Sequence, residues 1–77
     1  MSVRVLYFGR LRETLGKAED TVPIEASVRA IALWERLNGD IPLPEHTLVA
    51  VNLEYVKADA VVSDGDELAF FPPVTGG

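Results

Sequence analysis

Apolar and polar positions alternate along Val3–Phe8, so that Val3, Val5 and Tyr7 share one face and Arg4, Leu6 and Phe8 the other, as a β-strand requires. Gly9 interrupts that run. Arg10 to Leu15 then has room for a helical turn closed by Gly16, and Ala18–Val22 reads as a second strand stopped by Pro23, which makes a hairpin with a broad connection. From Val28 to about Leu37 the spacing changes to helical. Ala30, Ile31, Trp34 and Leu37 fall on one face, with Val28 and Leu33 at its edges and Arg29 and Arg36 opposite. Ser27 is the expected N-cap and Asn38-Gly39 the expected left-handed stop. Trp34 is read as a core residue rather than a binding aromatic.

Pro42 and Pro44 exclude a further helix in the connector that follows. Leu48–Val51 predicts a third strand and Tyr55–Lys57 a short return strand. Leu53 does not suit a tight turn, because the left-handed position after Asn52 favours glycine, so a longer turn or a bulge is expected there. Ala58–Ser63 reads as irregular and Asp64-Gly65-Asp66 as a turn. In the last strand, Glu67–Phe71, Leu68 and Phe70 oppose Ala69 and Phe71. One helix can cover one face of one sheet, so the fold class is α+β: a mixed four- to five-stranded sheet packed on one main helix. The first and last strands are the most apolar and should pair centrally. The helical crossover allows them to run parallel, which is the β-grasp arrangement.

Seventy-seven residues make a single small domain. The 48% hydrophobic and 25% charged content suits a folded globular chain without a membrane span, and no signal-peptide pattern precedes the first strand, so a cytoplasmic location is expected. The absence of cysteine excludes thiolate catalysis and Cys-based metal sites. His46 has no second histidine to complete a metal site or a triad, and no metal is expected. The net charge of −5 is unevenly spread. Arg4, Arg10, Arg12 and Lys17 make the first segment basic, whereas Asp40, Glu45, Glu54, Asp59, Asp64, Asp66 and Glu67 face only Lys57 in the later part. Such a body argues against nucleic-acid binding, which needs clustered cations. It suits either a basic protein surface or simple solubility. Asp64, Asp66 and Glu67 are better explained by a turn than by a magnesium site.

The candidate chemistry lies in the ending Phe70-Phe71-Pro72-Pro73-Val74-Thr75-Gly76-Gly77. Two prolines end the strand ladder, so residues 1–71 form the domain and residues 72–77 an extended tail. Val74 and Thr75 favour extension, while Gly76 and Gly77 allow close approach to a terminal carboxylate. Six residues span about 20 Å when extended. That length reaches into a partner's active site. A Gly-Gly end alone is ordinary; the aromatic strand and prolines ahead of it make Gly77 the candidate reactive group. Phe8, Tyr55 and Phe71 are expected to form an exposed aromatic patch on the sheet face away from the helix, a candidate interface. Arg10 and Arg12 either pair with partner carboxylates or remain solvated, and Lys17 and Lys57 have no assigned role.

The chain resembles the small subunit of molybdopterin synthase, a ubiquitin-like β-grasp sulfur carrier. The resemblance rests on Val3–Gly9 with Leu11-Arg12-Glu13, on Ser27-Val28, on Val49–Asn52 before Tyr55, on Asp64–Glu67 and on Phe70–Gly77. Sulfur carriers of thiamine synthesis share the fold and the Gly-Gly end, but usually lack the Arg-rich segment and the Phe-Pro-Pro lead. The resemblance implies that a ubiquitin-activating-like adenylyltransferase uses ATP to adenylate Gly77, with no cofactor bound by the chain itself. A persulfide-bearing protein then supplies sulfur, and the resulting thiocarboxylate serves the large subunit of a heterotetrameric synthase, which carries the catalytic side chains. Two alternatives stay open: sulfur delivery to another biosynthesis, and conjugation of Gly77 to target proteins as a modifier.

Overall fold

The computed structural model describes residues 1–73, so Val74, Thr75, Gly76 and Gly77 lie outside the described residues. The elements are β1 (Ser2–Tyr7), α1 (Gly9–Leu15), β2 (Glu19–Pro23), β3 (Val28–Arg29), α2 (Ala30–Asn38), β4 (Leu48–Val51), β5 (Glu54–Val56), β6 (Val61–Val62) and β7 (Glu67–Phe71). Five strands form one mixed sheet in the order β2-β1-β7-β4-β5, and β3 and β6 form a separate two-stranded ladder. The two apolar strands are central and parallel, with Val5 opposite Leu68 and Tyr7 opposite Phe70. This is the ubiquitin-like β-grasp fold, with α1 as a second, shorter helix beside α2.

The core lies between the sheet and α2. Val3, Val5, Tyr7, Leu68 and Phe70 meet Ala30, Leu33 and Trp34 there, all fully buried. Trp34 stands edge-on to Phe70 at 5.0 Å and to Tyr7 at 6.0 Å, a favoured aromatic geometry. Its indole N–H donates to the Ile41 carbonyl at 2.7 Å. The Tyr7 hydroxyl donates to Asp20 at 2.9 Å and accepts from the Asn38 amide at 3.1 Å. Burial pushes the Tyr7 phenol up to about 12, against the amide's opposing pull.

Four local expectations are corrected. The first concerns the start of α2, which begins at Ala30 rather than Val28: Val28 and Arg29 pair with Val62 and Val61. The Ser27 hydroxyl caps nothing and lies 2.8 Å from that of Ser63. The first helical N–H groups are satisfied by tertiary partners instead, Ala30 by the Ala60 carbonyl and Ile31 by that of Ala58. Residues 58–63, read as irregular, therefore hold β6 and cap α2. Second, Leu33 rather than Ile31 or Leu37 occupies the middle of the buried face, and Asn38 is buried too. Third, Gly39 is right-handed at φ −56°, because the chain turns back through a hydrogen bond from Ile41 N–H to the Asn38 carbonyl.

The fourth correction is the β4–β5 turn. Val51 pairs with Glu54, leaving a tight two-residue loop in which Asn52 and Leu53 both have positive φ, at 50° and 71°. Asn52 holds that shape. Its side-chain amide donates to Asp66 at 2.9 Å, its side-chain oxygen accepts from Glu67 N–H at 3.0 Å, and its own N–H donates to the Glu67 carbonyl at 2.8 Å. Asp66 also accepts from Ser63 N–H. These bonds hold its carboxyl below the usual range, the Ser63 bond most strongly.

Candidate functional site

Because β1 and β7 are parallel, both end at the same edge of the sheet. Cross-strand pairing aligns Leu6, Ala69, Ala50 and Tyr55 in one row across β1, β7, β4 and β5. Strand alternation puts this row on the face opposite α2, and Phe8 and Phe71 join that face one pleat further along. The two rings stack with centroids 4.6 Å apart and planes 5° from parallel. Tyr55 meets Phe71 edge-on at 6.1 Å. The alanines are too small to fill the row. They leave a hollow of about 200 Å³, rimmed by Phe8, Tyr55, Phe71, Leu53 and Glu67. Tyr55 is 71% exposed, Leu53 89% and Phe8 38%. Phe8, Tyr55 and Phe71 thus come together as expected, in solvent, with nothing covering them among the described residues. Leu6, Ala50, Ala69 and Leu53 complete the surface; alternation alone could have added Leu6 and Ala69, whereas Ala50 and Leu53 needed the strand register.

Arg10 lies elsewhere. It lines a second groove, of about 420 Å³, between α1, Trp34 and the 41–45 connector, with Pro72 and Pro73 on its wall. The two surfaces therefore meet at the root of the tail. Arg10 and Arg12 take part in none of the ion pairs found among the described residues. Lys17 is held by Asp20 at 2.7 Å, and Arg4 pairs with Glu19 at 3.0 Å and Glu67 at 3.6 Å. No group of His, Cys, Asp or Glu able to hold a metal occurs among the described residues. His46 is exposed in the connector. Among the described residues, no helix is long and apolar enough to cross a membrane. What the described part offers is an exposed apolar face beside the strand end from which the chain departs.

The ThiS family matches residues 5–77 of this sequence. The chain belongs to the ThiS family. Among the relatives of this ThiS-family chain, the molybdopterin synthase sulfur carrier subunit of Escherichia coli (strain K12) is 39% identical, over 97% of this chain and 99% of that protein. The Homo sapiens protein of the same name is 32% identical, over 97% of this chain and 93% of its own length. Among solved structures, SAMP1 from Haloferax volcanii superposes with a TM-score of 0.80 at 28% identity, over the full length of both chains.

Proposed function

We propose that this ThiS-family chain is the sulfur carrier subunit of a molybdopterin synthase, acting in the cytoplasm through the carboxylate of Gly77. The observation that carries the reading is the joint placement of an uncovered aromatic face and a Pro-Pro exit at one edge of the β1–β7 pair, in a chain 39% identical to such a subunit. The face docks, and residues 72–77 reach.

A carboxylate resists nucleophiles because its charge repels them and its leaving group would be oxide. An adenylating partner removes both obstacles. Attack of the Gly77 carboxylate oxygen on the α-phosphorus of ATP releases pyrophosphate and leaves an acyl-adenylate. A persulfide sulfur on another protein then attacks the carbonyl and expels AMP, and thiol cleavage of the resulting S–S bond leaves a thiocarboxylate on Gly77. This soft nucleophile passes into the large subunit, where it gives sulfur to a pterin precursor. The chain itself needs no side-chain thiol, in keeping with a sequence without cysteine. Phe8, Tyr55 and Phe71 serve both docking events, and Arg10 shares a groove with Pro72 and Pro73 at the root of the tail.

The test is the intact mass of the full chain purified from cells containing its loading partners. The expected result is the increment for one oxygen replaced by sulfur, lost when Gly76 and Gly77 are deleted. An unmodified carboxylate under loading conditions overturns the proposal. The likeness to SAMP1, small archaeal modifier protein 1, favours a second reading as a protein modifier. That reading predicts heavier conjugates joined through Gly77 in the same samples.

A further inference from the structure

The parallel register that pairs Tyr7 with Phe70 and stacks Phe8 on Phe71 brings Gly9 beside Pro72. Two chains leave the sheet at one point and must avoid each other. Gly9 adopts φ +56°, which turns β1 aside into α1, and a Cβ placed on it would lie 2.9 Å from Pro72 Cγ and 3.3 Å from Cδ. The first distance is shorter than real contacts allow. A proline ring cannot swing aside as a flexible side chain does, because it is closed onto its own backbone. Displacing the ring therefore tilts the chain that follows. Phe8 N–H also donates to the Phe70 carbonyl at 3.1 Å, holding the two exits together just before they part.

We propose that Gly9 is a positioning residue for the reactive tail: its bare Cα is the seat on which Pro72 rests, and this contact sets the direction in which the chain leaves the domain at Pro72. Gly9 acts through Pro72, at the junction between the aromatic face and the Arg10 groove. For the consequence in catalysis, the inference rests on the Gly77 reading above.

The molecule contains its own control. Gly16 also has positive φ, +72°, but a Cβ there meets nothing within 4 Å among the described residues. Gly9→Ala and Gly16→Ala therefore impose the same kind of backbone strain, and only the first disturbs Pro72. In the full chain, Thr75→Cys introduces a single thiol for a spin label, since the sequence has no cysteine. The expected result is that Gly9→Ala changes the pattern of amide relaxation the label causes on the domain, that Gly16→Ala does not, and that Gly9→Ala has no added effect once Pro72→Ala is present. In pyrophosphate exchange with the adenylating partner, Gly9→Ala should lower kcat about tenfold or more with KM little changed, as expected for misplacement without loss of docking. Unchanged label relaxation in a folded Gly9→Ala chain overturns the seat. A changed pattern together with exchange that survives deletion of Gly76 and Gly77 keeps the seat and overturns the Gly77 reading.

Discussion

Leu53 is a branched side chain at φ 71° with its surface in solvent, a combination that costs roughly 1–2 kcal/mol relative to a residue free to be left-handed. The Asn52 hydrogen bonds to Asp66 and Glu67 impose the turn regardless. Leu53→Gly should therefore stabilise the domain, by about 0.5–1 kcal/mol after the entropy of the added glycine, read as a higher melting temperature. If Leu53 is also part of the docking face, the same variant binds partners more weakly. Tyr7 makes a second prediction at this scale. Its phenol is held near 12 in the fold and would ionise near 10 in the unfolded chain, so its contribution is complete below pH 10 and disappears as pH rises towards 12. Alkaline unfolding should show that dependence, and Tyr7→Phe should remove it. The variant should also cost about 1–3 kcal/mol at neutral pH, because the buried Asn38 amide loses its acceptor.

Among the elements, α2 shows most clearly where local sequence and tertiary context part. Ser27 before an apolar helical run has the form of an N-cap, and a true cap of that kind is worth about 1 kcal/mol. The carbonyls of Ala58 and Ala60 take that role, so Ser27→Ala should change stability by less than about 0.5 kcal/mol in a chemical denaturation series. The reason it misleads is long-range: β3 forms only because β6, some thirty residues on, lies beside it. Trp34 was legible because a large aromatic on a helical stripe has few places to go other than the core. The centre of that stripe shifted to Leu33 because the sheet, not the helix, decides which arc is covered.

At the scale of the whole molecule, the opposite sheet face is the consequential feature. Phe71→Ala removes the ring that both Phe8 and Tyr55 contact while leaving Phe70 and the core in place. It should leave the domain folded by circular dichroism and weaken binding to both proposed partners, the adenylating enzyme and the large subunit, by about tenfold or more in titration calorimetry. Unaltered affinity for both would remove the face from the function. Shared use of one face also predicts that the two partners compete for the chain. Arg10 borders a different groove, walled by Pro72 and Pro73, so Arg10→Ala should have a separable effect, confined to the partner that contacts that groove.

Strand alternation, helical spacing and the two prolines before Val74 are local properties, set by bond geometry and side-chain branching, and they were enough to place the central pair, the aromatic side of the sheet and the end of the last strand at Phe71. Three details were decided by contact between distant segments: the backbone caps of α2, the left-handed turn at Asn52 and Leu53, and the clearance that Gly9 leaves for Pro72. Each depends on a neighbour far away in the chain. No window of residues carries that information, because the hydrogen bonds and excluded volume involved exist only once the sheet has closed.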